Sequence, residues 1–161
     1  MFYHSTETSI TFHGEILRVP TSGGTIDTVA ASADWGGGSY NGMLVIGGTL
    51  YFGKGYFGCV ATVPIAGGTA TCRASLDGGL QAYHSFATDG TSLYMIAKDF
   101  SVESVWRFPL DFSGATELAS NTQWYLGDQP RLLLLDAQSV FYPTVACCSA
   151  GTPTGLQKRA K

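Results

Sequence analysis

Apolar residues in this chain fall in short runs, each interrupted by Gly, Thr or Ser before a 3.6-residue period can build up, so no helix is expected anywhere. The stretch from Met43 to Ile46 is apolar and ends at Gly47-Gly48, which predicts a short strand buried on both faces. Leu50 to Phe52 follows after a tight turn. Val60 to Val63 then alternates large and small residues up to Pro64, and Ala70 to Ala74 follows an Ile-Ala-Gly-Gly turn. The pattern predicts four strands joined by hairpins.

This unit repeats. The segments ILRVPTSGG (Ile16 to Gly24), VATVPIAGG (Val60 to Gly68) and VWRFPLDFSG (Val105 to Gly114) place prolines at Pro20, Pro64 and Pro109, in steps of 44 and 45 residues. An aromatic-rich pair runs out of phase with them at Phe2-Tyr3, Tyr51-Phe52, Tyr94-Met95 and Phe141-Tyr142, in steps of 49, 43 and 47. Two independent motifs sharing one period mark a repeat architecture. The third cycle adds Leu132 to Leu135 and Val140 to Tyr142 as further strands. Asp89-Gly90 and Asp136, which precede Leu93-Tyr94 and Val140-Phe141, read as turn residues.

A four-stranded antiparallel sheet recurring every 40 to 50 residues predicts an all-β chain of β-propeller blades. A β-solenoid coil is usually shorter, and a β-sandwich gives no reason for repetition. The order LYF, turn, I-x-R-V-P, x-x-G-G resembles six-bladed propeller repeats of the YWTD and NHL kind, and bacterial repeats containing R-V-P-x-x-G-G. The YWTD tetrapeptide itself is absent; the equivalent stretches read YFGK (Tyr51 to Lys54) and YMIA (Tyr94 to Ala97).

The repeats run roughly over residues 2–50, 51–93 and 94–140, with a remnant at 141–161. About three blades with incomplete terminal blades make a propeller fragment, because known rings hold ~4 to 8 blades and closure is what protects their edges. Two completions are expected: further blades from a longer parent chain, or a second copy in a homodimer. A clean 17.0 kDa monomer would remove the second.

Composition bounds the partners. Hydrophobic residues make up 45% of the 161, too many for a disordered chain, and charged residues only 13%. The net charge is −3, and three of the nine basic residues, Lys158, Arg159 and Lys161, lie in the last four positions. The rest of the chain sets six basic residues against twelve acidic ones, which excludes the basic face that nucleic-acid binding needs. No apolar run approaches the ~18 residues of a membrane span. MFYHSTETSI lacks the basic patch and apolar stretch of a secretory signal. Low charge, abundant Gly and aromatic residues, and a paired cysteine would together favour an extracytoplasmic (periplasmic or secreted) origin.

None of the four cysteines sits in a CxxC pair and the three histidines are widely spaced, poor material for zinc; no cofactor is expected. If Ile65 and Ala66 centre their hairpin, opposed residue numbers sum to 131 and Cys59 faces Cys72. Opposed Cβ atoms lie ~4.5 to 5.5 Å apart, slightly wide for a disulfide, so the pair is either bridged after local adjustment or two free buried thiols. Vicinal Cys147 and Cys148 fit a strained bridge, free thiols or outside partners.

In the propeller families that the chain resembles, ligands are often met where the first strand of each blade begins, at the mouth of the central channel. Counting ten back from Leu50, Leu93 and Val140 gives Tyr40, Tyr83 and Pro130, followed by Asn41, His84 and Arg131. Different polar residues at one repeated position are what an asymmetric site on a symmetric scaffold needs. The loops upstream add Asp34 and Trp35, Asp77 and Gln81, then Trp124, Tyr125 and Asp128. Aromatic faces beside carboxylates and amides suit a glycan or other small polar ligand; the competing reading is solvated loops with Trp covering the channel end. The expected function is a non-enzymatic binding or interaction module. The alternative is a propeller lyase or hydrolase acting on a carbohydrate or lactone, with His84 and Asp77 as acid–base pair.

Overall fold

Interrupted apolar runs become strands. The computed structural model describes residues 2–6, 14–31, 40–54, 59–75, 82–98, 103–121, 133–145 and 153–161, and the regular structure among them is all β. The first sheet holds β1 (Phe2–Thr6), β2 (Gly14–Arg18) and β3 (Asp27–Ala30). The second holds β4 (Tyr40–Ile46), β5 (Thr49–Lys54), β6 (Cys59–Pro64) and β7 (Thr71–Ser75). The third holds β8 (Ala82–Thr88), β9 (Ser92–Lys98), β10 (Glu103–Pro109) and β11 (Thr116–Asn121). The fourth holds β12 (Leu134–Leu135), β13 (Ser139–Val145) and β14 (Pro153–Ala160). Every sheet is an antiparallel meander in chain order. The strand expected from Leu132 to Leu135 is shorter, Leu134–Leu135, and Leu132 lies outside the described residues. The strand expected from Ala70 begins at Thr71.

Period-two alternation gives each sheet a back, towards the preceding sheet, and a front, towards the following one. Leu50, Phe52, Cys59, Ala61 and Val63 of the second sheet pack back onto Ile16, Val29 and Ala30 of the first. Tyr51 and Val60 pack forward onto Leu93, Met95, Ala97 and Phe108 of the third. Tyr94, Ile96 and Val105 then pack forward onto Leu133, Val140 and Tyr142 of the fourth. Three apolar clusters thus join four sheets in series, so a one-residue register slip would invert both faces of an inner sheet at once.

The strand pairing repeats in detail. β3, β7 and β11 each carry a register shift at the same place, leaving Val29, Arg73 and Leu118 out of the ladder. Each Pro-containing turn closes with the same bond: Gly23 N to Pro20 O, Gly67 N to Pro64 O and Phe112 N to Pro109 O, all 2.9 Å. The donor residue is left-handed in all three, with φ of +79° at Gly23, +100° at Gly67 and +58° at Phe112.

A disulfide joins Cys59 and Cys72, with Cα atoms 5.8 Å apart. The expected direct opposition is corrected by the register. Cys59 lies opposite Ser75 and Cys72 opposite Ala61, because the turn is longer than a two-residue one and Arg73 bulges out. The bridge is therefore diagonal, its span within the usual Cα range of disulfides.

Candidate functional site

Strands β4, β8 and β12 lie beside one another, each the first of its meander. Tyr40 begins β4, and Tyr83 is the second residue of β8. Tyr40 pairs with Lys54 and Tyr83 with Ala97, the corresponding positions of β5 and β9, so the two tyrosines hold one register in neighbouring sheets. The residues after them diverge. Asn41 pairs with Gly53 and the next residue, Gly42 at φ +82°, is skipped; in β8 the skipped residue is His84 itself. A bulge re-aims the strand where it falls and is over-represented beside functional sites. Trp35, Asp77, Trp124 and Arg131, together with Asp34, Gln81, Tyr125, Asp128 and Pro130, lie outside the described residues, as do the side chains of Tyr40, Asn41, Tyr83 and His84.

At the opposite ends of these first strands, the structure builds a polar cluster around the turn residue Asp89 and Tyr94 of the repeated aromatic pair. Asp89 Oδ1 accepts from Thr91 N at 3.0 Å, Thr91 Oγ1 at 2.8 Å and Ser92 N at 2.9 Å, while Oδ2 accepts from the Tyr94 hydroxyl at 2.8 Å. Lys161, just beyond β14, sets its Nζ 3.7 Å from Asp89 Oδ2 and 5.5 Å from the centre of the Tyr94 ring. Burial favours the neutral acid at Asp89, but the bonds donated by Thr91, Tyr94 and Ser92 outweigh it and hold the carboxyl well below the usual carboxylate range. Burial, then the hydrogen bond to Asp89 and its charge, push the Tyr94 phenol up to about 12, against the opposing pull of Arg107. Asp136 repeats the turn, accepting from Gln138 N at 2.8 Å and Ser139 N at 2.6 Å. Both aspartates thus act as turn residues, and Asp89 additionally ties the third sheet to the fourth.

The signal for such contacts lies in the pairing. Arg107 faces Tyr94 and Lys158 faces Phe141, the Lys158 Nζ standing 5.5 Å from the Phe141 ring centre. Arg18, the matching residue of the first sheet, donates to Ile65 O in the next sheet's turn at 2.9 Å and pairs with Asp27 at 2.9 Å. Arg18 thus bridges two sheets, which a linear motif does not reveal.

Among the described residues no three of His, Cys, Asp and Glu come together in a way that could hold a metal ion, and no helix is long and apolar enough to cross a membrane. No protein-family model matches the chain, and no curated protein matches it either.

Proposed function

We propose that the four sheets are blades of a β-propeller completed by further blades, and that the chain is a non-enzymatic binding module. Its contact surface is the set of loops leading into β4, β8 and β12. The observation that carries this reading is the shared register of Tyr40 and Tyr83, followed by Asn41 in one strand and by a bulged His84 in the next. A repeated backbone with a changing polar residue is how a symmetric scaffold builds an asymmetric site. Serial stacking of meanders with recurrent bulges and turns supports the blade assignment. Trp35, Trp124 and Arg131 supply the stacking faces and the hydrogen-bonding group that a sugar or other small polar ligand would use. The disulfide fits an extracytoplasmic, oxidising compartment.

A glycan array followed by titration of the best ligand tests the reading. Tyr40→Ala and Tyr83→Ala are each expected to weaken binding about tenfold or more, the scale of losing about 1.4 kcal/mol of contact; unchanged affinity in both would overturn it. The enzymatic reading, a lyase or hydrolase using His84 and Asp77, draws on the bulge at His84. It predicts that His84→Ala abolishes turnover of a carbohydrate or lactone while leaving binding intact.

A further inference from the structure

We propose that the front of the fourth sheet and the back of the first form a head-to-tail contact between two copies of this chain; the inference rests on the propeller reading. Two of the large apolar side chains left exposed belong to these end faces. Leu134, 50% exposed, pairs with Phe141 as Leu44 pairs with Tyr51 and Ala87 with Tyr94. Leu44 and Ala87 pack forward on the following sheet, so the same alternation sets Leu134 on the front of the fourth. Ile26, 52% exposed, immediately precedes β3 as Ala70 precedes β7, and Ala70 packs back on the preceding sheet.

The second copy is favoured as occupant because this chain carries both halves of a contact that it already makes internally. Arg18 on the front of the first sheet reaches Ile65 O in the second sheet's turn. Lys158 occupies the position of Arg18 on the front of the fourth sheet, opposite Phe141 as Arg18 is opposite Phe2. Thr21 holds the place of Ile65 in the first sheet's turn. That turn has the docked backbone already: Gly23 at φ +79° and Gly24 at +122° parallel Gly67 at +100° and Gly68 at +138°. Yet nothing lies within 4 Å of a Cβ built at Gly23 or Gly24, whereas Val29 O lies 3.4 Å from one at Gly67. Two copies joined twice in this manner close a ring of eight sheets, within the ~4 to 8 blades of known propellers.

Light scattering on size-exclusion fractions of the 161-residue chain tests the contact. The wild type is expected at twice the 17.0 kDa chain mass. Ile26→Glu and Leu134→Glu, each at an exposed position, are each expected to weaken association tenfold or more while keeping the wild-type circular dichroism spectrum. Because one face of each variant is intact, an equimolar mixture regains dimer mass through the single unmutated contact. A wild type that stays monomeric at millimolar concentration, a dimer indifferent to either variant, or a mixture that stays monomeric overturns the proposal. X-ray scattering of the monomeric Ile26→Glu chain reads the blade arrangement separately, so the propeller reading and the contact fail independently.

Discussion

Two turns of one design join the sheets in different ways. At the junction of the first and second sheets, the 64–68 turn lays its backbone on β3: Gly68 N donates to Val29 O at 3.1 Å, and a Cβ at Gly67 would stand 3.4 Å from that oxygen. At the junction of the second and third, the matching turn puts Phe112 where Gly67 would be and inserts a ring instead. That ring stacks on Tyr51 at 6.2 Å, tilts against Phe108 at 5.9 Å and lies under the Arg73 guanidinium at 5.8 Å. Arg73 is the bulged residue of β7, the counterpart of Val29 in β3. One backbone therefore docks on one bulge either by close approach or by an aromatic wedge, and the side chain at the left-handed position decides which. The wedge is the less tidy solution: a phenylalanine bears the strain of positive φ, and Trp106 Nε1 in the same cluster is buried without a partner among the described residues.

The largest effect is expected from the disulfide, which braces β6 to β7 inside the second sheet, its Cys59 end facing the first junction. Cys59 lies in the cluster between the first and second sheets, and the bridge spans a separation of 13 residues. A loop of that size confers about 3 kcal/mol on the chain-entropy account. Cys59→Ala/Cys72→Ala is expected to lose about that much in urea unfolding, with reductant lowering the wild type similarly and leaving the double variant unchanged. A loss below about 1 kcal/mol would show that the β6–β7 hairpin holds without its bridge.

Exchanging residues at the turn gives the next largest effects. Gly67→Ala is expected to cost about 2 kcal/mol, from backbone strain and from the tight approach to Val29 O. At position 112 the usual ranking of glycine and alanine should invert. Phe112→Ala loses the ring contacts and keeps the strain, costing about 2 kcal/mol. Phe112→Gly loses the same contacts but relieves the left-handed backbone, costing about 1 kcal/mol. Urea midpoints at constant m-value check the order; Phe112→Gly less stable than Phe112→Ala would remove strain from the account.

Strands and hairpins were legible because Gly and Pro punctuate the chain and apolar residues alternate between them. The left-handed third residue after each proline was not, because after Pro109 it is Phe112, a residue type that rarely takes positive φ. The register across β6 and β7 was not, because the turn is longer than a two-residue one, which sets Cys72 opposite Ala61, and nothing in TCRAS marks Arg73 as the bulged residue, which sets Cys59 opposite Ser75. Nor was the tie between Asp89 and Lys161, 72 positions apart, since it exists only once the third and fourth sheets stack. At the candidate site, counting back from Leu50 and Leu93 found the register shared by Tyr40 and Tyr83. It could not find that the bulge falls after Asn41 in one strand and on His84 in the other, because bulges answer to local twist rather than to spacing.

The smallest effect belongs to the third junction, where a carboxylate and an ammonium group meet between the sheets. Asp89 is held well below its ordinary value of 3.8 in the folded chain, so the stability it confers is fully present above that value and is lost as the pH falls below it. Tyr94, raised from 10.0 to about 12, confers stability that is present below pH 10 and is lost as the pH climbs towards 12. Asp89→Asn is expected to cost about 1 kcal/mol at neutral pH, since the amide oxygen still accepts the three bonds made to Oδ1, more weakly, but the amide nitrogen in place of Oδ2 can neither accept from the Tyr94 hydroxyl nor pair with Lys161. Its urea midpoint should fall less steeply than that of the wild type below pH 4, because the titrating group is gone. Gly67→Ala, which alters only backbone approach, should instead run parallel to the wild type through the same range. Midpoints measured from pH 7 to pH 2 separate the two kinds of junction; if Asp89→Asn runs parallel as well, the Asp89 carboxylate contributes nothing to the stacking of the third sheet on the fourth.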